Sequence, residues 1–364
     1  MTLLIDISAL TSMETDHVLE SMFKARHDPP EDDLWVPHQS PFARDLIERL
    51  TKLGLDVIHH YQHELTRALH DGYYTVDIKS DSGAKNDSAP KNDSSARTFD
   101  TPERINEFID WLTGKHWQQD YLTEEVAAII LAACVMGGLQ RYIPNLTPDK
   151  ARKILNKIPP TIPEAIKLNM ITPARKNGIE YAQSRVAEQI VALREQTRHR
   201  FKSMLLREFD GVPIADLPKK ARAIEQLARE EFPTLNRDYR RIVITEIGGY
   251  INRVLIAGCE EGTKLRRLEK YPKACVHCRA IDDRIYTVVS PDKPDKDGET
   301  EVWRGKTNIG RSASPRKRVG DRLVDRSPDE RLWAAEDLMH PNCRGTWQVV
   351  NPPPAVPAWI EEER

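Results

Sequence analysis

The 364-residue sequence lacks the features that mark membrane, secreted and nucleotide-binding proteins. No apolar run approaches the roughly 18 residues that a membrane-spanning helix needs. Asp6 interrupts the apolar core that a signal peptide requires, so we expect a protein made and kept in the cytosol or assembled there into something larger. Neither GxGxxG nor GxxxxGK(S/T) occurs, and no alternation of strands and helices is predicted, which disfavours nucleotide-binding α/β folds.

Cysteine and aromatic residues are scarce. The five cysteines, an odd number, argue against a disulfide framework in a reducing compartment. Aromatic residues make up 7% of the chain and charged residues 30%, and Leu, Ala and Ile are abundant. This composition predicts a largely helical, soluble protein. The net charge of −2 indicates no global preference for nucleic acid.

The length predicts two or three structural units. We expect an N-terminal helical region at 1–165, in which residues 42–70 have the apolar spacing of one or two helices. Residues 76–100, rich in Ser, Asp, Asn and Lys, include the near-repeat AKNDSAPKNDSS and predict a flexible loop. The stretch 124–143 is apolar on most sides, which predicts a buried helix.

Residues 166–265 predict a bundle of long helices. From Gly178 onward, apolar residues recur every three or four positions. This spacing predicts one amphipathic helix of about 30 residues that ends near Gly211. A shorter helix at about 218–231 and a further helix at about 236–257 are expected to follow.

The character of the sequence changes in the last quarter of the chain. Short β-prone pieces at 284–289, 301–303 and 346–350 lie between loops rich in Pro, Asp, Gly and Ser. We therefore predict a mainly α protein, in which a multi-helix body carries a small C-terminal α+β unit of short strands at 266–350. A Pro-rich tail at 351–364 follows.

Three cysteines and one histidine carry the main chemical signal. Cys275-Val-His-Cys278 and His340-Pro-Asn-Cys343 each place two ligands three positions apart, a spacing that lets both point at one ion. Cys3His is a common tetrahedral zinc set, and four filled positions indicate a structural rather than a catalytic ion. His277 is a competing ligand inside the first turn.

Other interpretations of these residues stay open. Residues 279–339 separate the two pairs, a longer loop than a zinc finger has, although loop-closure entropy grows slowly with length. One alternative is a set of buried, unligated thiols that pin a pair of strands. Another is a redox or catalytic role for the thiols.

The order of several motifs resembles the phage Mu F-like minor head proteins, the phage head morphogenesis family, over residues 175–350. In that family a long helix precedes a helix with a Thr-Glu pair, followed by C-x2-C-x3-D-G and then by H-P-N-C-R-C. The matching residues are Thr245, Glu246, Cys275, Cys278, Asp282, Tyr286, His340, Pro341, Asn342, Cys343 and Arg344.

Two positions depart from the family motif. Asp283 stands where Gly is usual, and Asp enters such turns readily. Gly345 stands where the motif has its last Cys. The resemblance therefore implies either a member that has lost the metal or a four-ligand zinc set of Cys275, Cys278, His340 and Cys343.

The resemblance implies a structural minor head (capsid) protein of a tailed phage, without enzymatic activity, that acts in head morphogenesis at or near the portal. The implied partners are the portal protein and the inner capsid, with no membrane. The implied location is the virion, in the head interior or at the portal vertex, after assembly in the host cytoplasm. Some members of the family are linked to DNA packaging or ejection.

Thr245 and Glu246 are expected to have a structural role. Glu246 lies in a largely apolar helix, which predicts a buried carboxylate paired with an arginine such as Arg241 or Arg253, or with the backbone of the metal unit. A catalytic role for the Thr-Glu pair is the less favoured alternative.

The segment 303–326 is strongly basic, with eight Lys and Arg residues against two acidic residues. A flexible basic loop neutralises phosphates without reading sequence, which predicts non-specific contact with double-stranded DNA. The candidate residues are Trp303, which could stack on a base, and Arg311, Arg316, Lys317 and Arg318. The alternative is a solvated loop, or one that docks on an acidic portal surface.

A zinc-stapled nucleic-acid-binding protein or a nuclease of the His-Asn-His type is the alternative function, since such nucleases also contain C-x2-C pairs. A nuclease of this type needs a His general base. The only other histidine nearby is His277, and none lies between 279 and 339, so the base is missing unless His340 itself serves.

Overall fold

The computed structural model describes residues 38–71, 73–77, 94–98, 101–117, 121–143, 146–209, 212 and 217–363. This part of the chain is mainly helical and carries a small sheet of short strands near the C-terminus, as the sequence predicts. Among the helices in these ranges, none combines the length and the hydropathy that crossing a bilayer demands.

The described residues form eight α-helices. They are α1 (Pro41–Asp71), α2 (Pro102–His116), α3 (Tyr121–Leu139), α4 (Pro148–Leu155), α5 (Ile162–Lys167), α6 (Lys176–Phe209), α7 (Leu217–Ala257) and α8 (Val276–Ile281). The predicted long amphipathic helix is confirmed as α6, and the predicted buried helix as α3. At the start of α2, Thr101 Oγ1 accepts a hydrogen bond from Arg104 N (3.3 Å), and Pro102 occupies the first helical position.

The predicted break between helices at 218–231 and 236–257 is wrong, because α7 runs through it. Pro233 lies inside α7 and removes one backbone hydrogen bond. Buried side chains nonetheless continue at helical spacing on both sides of the proline, at Ile224, Ala228, Phe232, Leu235 and Tyr239. The packing of this continuous apolar face offsets the lost hydrogen bond.

The chain packs into two compact units, each assembled from separated segments. Of the described residues, those up to Leu50, those of Glu125–Val186 and those from Arg240 onward form the first unit, and those of Thr51–Glu124 and Ala187–Tyr239 form the second. In the second unit, three buried rings pack with centroids between 5.3 and 6.4 Å apart, those of Tyr61, Phe201 and Phe232. The domain boundaries predicted near residues 165 and 265 stay a prediction.

A strand pair lies at the ends of the predicted N-terminal loop. β1 (Tyr73–Asp77) and β2 (Ser94–Thr98) are antiparallel, with Tyr73 opposite Thr98. The loop predicted at 76–100 therefore has paired strands at its ends. Its remaining residues, 78–93 and 99–100, lie outside the described residues, as does the segment 1–37.

A four-stranded sheet in the first unit has the order β5-β4-β3-β8. Its strands are β3 (Lys264–Leu268), β4 (Ile285–Val288), β5 (Glu301–Val302) and β8 (Thr346–Val349). β3 pairs antiparallel with β4 and β8, and β4 pairs parallel with β5. The three predicted strands are confirmed. The sequence pattern does not predict β3, because one of its two buried side chains is Arg267, which breaks the apolar alternation.

Where the sequence predicts a flexible basic loop, the structure has a hairpin. β6 (Arg316–Val319) and β7 (Arg322–Asp325) are antiparallel, with Val319 opposite Arg322. Gly320 in the turn has a φ of 59°, the left-handed conformation that two-residue hairpin turns favour. The basic side chains of 316–322 are therefore presented on a defined β-ribbon.

Replacing Gly54 by Ala is expected to destabilise the second unit. A Cβ atom at this position in α1 would overlap the buried ring of Tyr239. Such overpacking costs about 1–3 kcal/mol. The control is Gly114→Ala in α2, where nothing lies within 4 Å of the added carbon. The control should gain about 0.5–1 kcal/mol. Urea unfolding measures both variants, and equal free energies of unfolding would contradict the packing described.

Candidate metal centre

The C-x2-C pair lies at the start of a short helix. Cys275 is the N-cap of α8, and its Sγ accepts a hydrogen bond from Cys278 N (3.4 Å). A hydrogen bond from the Cys278 side chain lowers the pKa of the Cys275 thiol to about 3, and His340 contributes in the same direction. Both contacts favour the thiolate of Cys275, the form that binds metals.

The H-P-N-C segment forms a turn that is attached to α7. Asn342 has a left-handed φ of 64°, and its backbone N–H donates to Thr245 Oγ1 (2.9 Å). Cys343 N donates to His340 O (3.2 Å), and Gly345 N donates to Cys343 Sγ (3.4 Å). A hydrogen bond donated to sulfur favours the thiolate form of Cys343, as it does at Cys275.

The four predicted ligands lie together in the first unit. His340 Nε2 lies 3.3 Å from both Cys275 Sγ and Cys278 Sγ, and the Sγ atoms of Cys278 and Cys343 are 3.8 Å apart. A tetrahedral ion with metal–sulfur bonds of about 2.3 Å separates two sulfurs by about 3.8 Å. The predicted Cys/His cluster is confirmed as a group that could hold a metal. His277 belongs to neither of the two ligand groups found among the described residues.

His340 is oriented by its other ring nitrogen. Nδ1 donates to Pro341 O (2.9 Å), which leaves Nε2 facing the sulfurs. Burial lowers the pKa of His340, but the hydrogen bond with Cys275 and the charge of Cys343 outweigh burial and raise it to about 9. Burial also acts to raise the pKa of Cys343, but the hydrogen bond with Cys278 and the His340 charge bring it well below its usual value.

Glu269 completes a second group of potential ligands, which spacing does not predict. The ligand atoms of Glu269, Cys278 and Cys343 all lie within 4.8 Å of one another, as do those of Cys275, Cys278 and His340. Burial raises the pKa of Glu269 to about 7, and Arg267 opposes this rise. Glu269 follows β3 directly, and its position in the sequence does not distinguish it from the many other acidic residues of the chain. No pattern therefore marks it as a ligand.

Residues of the family motif surround the cluster. Asp282 Oδ1 accepts a hydrogen bond from Glu269 N (2.8 Å), and Thr245 holds the C-terminal turn as described. The predicted burial of Glu246 and its pairing with an arginine are confirmed. The partner is Arg185 of α6 (3.0 Å), whereas Arg253 pairs with Asp337 (3.1 Å).

The predicted nucleic-acid-binding residues lie in two places. Arg316, Lys317 and Arg318 lie on β6, where Arg316 pairs with Asp325 (3.2 Å) and Lys317 with Glu330. Two others pack on the ring of Trp333. The indole of Trp303 meets it edge-on with centroids 5.3 Å apart, and the Arg311 guanidinium lies 3.3 Å from its centroid.

Lys306 belongs to the basic segment but is buried. Its Nζ donates to Gly298 O and Glu301 O, both at 2.7 Å, and lies 4.8 and 4.7 Å from the ring centroids of Trp303 and Trp333. Burial lowers its pKa to about 7. Trp303 and Lys306 are therefore occupied by each other, and the exposed basic residues of the hairpin are the ones available to a phosphate.

Comparison of the chain with protein-family models, with curated proteins and with solved structures finds no match.

Glu336→Gln is expected to stabilise the protein more at pH 8 than at pH 4. Glu336 is buried next to the Lys306 backbone, and burial raises its pKa from 4.5 to about 7. Between these values the folded state keeps a proton that the unfolded state has lost, so wild-type stability falls as the pH rises through this window. The neutral glutamine avoids this loss, an advantage of about 3 kcal/mol by pH 8.

Unfolding of both proteins between pH 4 and 8 measures the difference. Glu299→Gln, at a side chain 77% exposed, is the control and should show no such trend. A difference between Glu336→Gln and wild type that is independent of pH would contradict the assignment.

Proposed function

We propose that the chain is a structural minor head protein of a tailed phage, similar to the Mu F-like proteins, and that it has no enzymatic activity. This proposal rests on one observation: motif segments that are far apart in the sequence lie next to one another in the structure. The hydroxyl of Thr245 accepts a hydrogen bond from the H-P-N-C turn, and Cys278 Sγ lies 3.8 Å from Cys343 Sγ. Motifs that fold into one site support the resemblance more strongly than their order alone.

We further propose that the cluster holds a structural zinc ion. The three cysteines supply soft ligands, and His340 and Glu269 are the donors at hand for a fourth position. Zinc would cross-link α8 to the C-terminal turn and add its binding free energy to the stability of the first unit. Hydrogen bonds to Cys275 Sγ and Cys343 Sγ from backbone N–H groups favour the deprotonated ligands that zinc needs.

A nuclease of the His-Asn-His type is the weaker alternative. Its general base would have to be His340, whose two ring nitrogens both have partners, Nδ1 in Pro341 O and Nε2 in the Cys275 and Cys278 sulfurs. A general base must be within reach of the water it deprotonates. The surroundings of His340 therefore favour a structural role.

The proposed partners are the portal protein and the inner capsid, in a virion assembled in the host cytoplasm. The β6–β7 hairpin is the proposed contact with double-stranded DNA, because almost all of its side chains are exposed and most of its charges are positive. Such a contact would neutralise phosphates without reading sequence and would suit a role in DNA packaging or ejection.

Particles of the phage that encodes the chain test the assembly role. Cross-linking and mass spectrometry of purified procapsids are expected to find the protein bound to the portal, and deletion of its gene should reduce the yield of infectious particles. Complete particles without the protein would contradict the head-protein proposal.

Cys278→Ser is expected to abolish zinc binding, because Cys278 belongs to both groups of potential ligands. With free zinc 100-fold above its Kd, the lost stabilisation is about 2.7 kcal/mol. Calorimetry with zinc and with chelator measures the change. Cys259→Ser, at a free thiol outside both groups, is the control and should keep the zinc dependence. Wild-type protein whose unfolding temperature is the same in zinc and in chelator would contradict the metal proposal.

Replacing Arg316, Lys317 and Arg318 by Gln is expected to weaken DNA binding and its salt dependence. Three lost phosphate contacts should reduce the slope of log K against log salt by about 3. The matched control replaces three exposed lysines elsewhere in the first unit, Lys153, Lys157 and Lys167. Titration at several salt concentrations measures the slope. Equal slopes for the two triple variants would show that the hairpin does not contact DNA.

A further inference from the structure

Glu269 is a fully buried carboxylate that faces the sulfur cluster. Its side chain is 0% exposed, and its Oε2 lies 3.5 Å from Cys343 Sγ. Charged side chains are almost never fully buried unless they are paired or bind a metal. Arg267 Nε contacts Oε1 (2.7 Å), which leaves Oε2 for the cluster. The ion pair with Arg267 therefore accounts for Oε1, and the partner of Oε2 is the Cys343 sulfur of the cluster, at hydrogen-bond distance.

The distances between the ligand atoms of Glu269, Cys343 and Cys278 match those expected around a tetrahedral metal ion. Metal–sulfur bonds of about 2.3 Å and metal–oxygen bonds of about 2.0 Å place sulfur and oxygen about 3.5 Å apart. Cys343 Sγ and Glu269 Oε2 have this separation, 3.5 Å, and the Cys278–Cys343 sulfurs are 3.8 Å apart. Cys343 also belongs to the ligand group of Glu269, whereas His340 is grouped with Cys275 and Cys278.

Gly345 explains why the carboxylate can reach this place. A Cβ atom at position 345 would overlap both carboxylate oxygens of Glu269, so the missing side chain leaves the volume that they fill. The backbone of Glu269 is fixed by the hydrogen bond from its N to Asp282 Oδ1 (2.8 Å). Arg267 fixes the side chain, and the carboxylate is therefore aimed at the cluster before any ion binds.

We propose that Glu269 is the fourth ligand of the metal ion. Its carboxylate fills the volume that a side chain at position 345 would otherwise occupy. This inference rests on the proposed metal site. Glu269 would join Cys278 and Cys343, whose ligand atoms lie within 4.8 Å of its own, and Cys275, which is grouped with Cys278 and His340, would complete the set. A dication offsets the negative charge that a carboxylate and thiolates bring together away from water, which a single arginine does not balance. His340 then remains a hydrogen-bond partner of the Cys275 and Cys278 sulfurs.

X-ray absorption at the zinc edge of the wild-type, zinc-loaded chain tests the ligand set without any substitution. The expected spectrum contains three sulfurs at about 2.3 Å and one oxygen at about 2.0 Å, without the multiple scattering of an imidazole ring. An imidazole in place of the oxygen would assign the fourth position to His340 and overturn the proposal.

Two variants test the same position through zinc affinity, measured by competition with a chromophoric chelator. Glu269→Gln is expected to bind zinc at least about tenfold more weakly, since even outer-shell changes cost this much. Glu336→Gln, at another buried glutamate of the first unit, is the matched control and should keep wild-type affinity. Wild-type affinity in Glu269→Gln would overturn the proposal.

The double variant Glu269→Ala/Gly345→Cys is expected to regain zinc affinity, because the new cysteine enters the volume that the carboxylate leaves. With Co²⁺ in place of zinc, its spectrum should show one additional sulfur ligand compared with wild type. A Co²⁺ spectrum identical to that of the wild type would contradict the proposal that Glu269 and a side chain at position 345 can fill the same coordination position.

The outcomes distinguish this inference from the proposed metal site. Zinc binding that is lost in Cys278→Ser but kept in Glu269→Gln would reject this inference alone, whereas wild-type protein that binds no zinc would reject the metal site as well.

Discussion

The C-terminal sheet and the sulfur cluster depend on one buried ion pair, that of Arg267 and Glu269. Neither side chain is exposed, and Arg267 Nε lies 2.7 Å from Glu269 Oε1. The same guanidinium donates to Asp337 O (2.9 Å) and lies 4.8 Å from the ring centroid of Trp347. It therefore connects β3, β8 and the segment that leads into the H-P-N-C turn. Removing one partner of such a pair costs about 3–5 kcal/mol, because the other charge stays buried without compensation.

The neighbouring helices support the cluster by satisfying backbone groups. Asn252 of α7 donates to Asp337 O and Gly345 O, both at 3.0 Å, and Gln140 donates to Trp347 O (2.6 Å). Hydrogen bonds to buried carbonyl oxygens avoid the cost of leaving those oxygens unpaired. The arrangement thus fixes a C-terminal turn in place, which agrees with the structural role proposed for a head protein. Contact with DNA is proposed for the exposed hairpin, away from this network.

Sequence patterns predict the elements that local spacing determines, and they do not predict the elements that tertiary packing determines. The spacing of apolar residues predicts α6, and the spacing of Cys275, Cys278, His340 and Cys343 predicts the cluster. Pro233 suggests a helix break, but the buried face that continues through it overrides the local preference. No sequence pattern predicts β3 or marks Glu269 as a ligand. The ion pair of Arg267 and Glu269 places charged residues at buried positions, where a prediction from sequence expects apolar side chains. Lys306 belongs to the basic segment of the sequence, and only the packing of aromatic rings around it reveals that it is buried.

Anomalous diffraction from crystals of the wild-type protein, recorded above and below the zinc absorption edge, tests the metal centre most directly. We expect one zinc peak, in contact with the sulfurs of Cys275, Cys278 and Cys343 and with a carboxylate oxygen of Glu269. Crystals grown with zinc available that show no peak at this cluster would contradict this expectation.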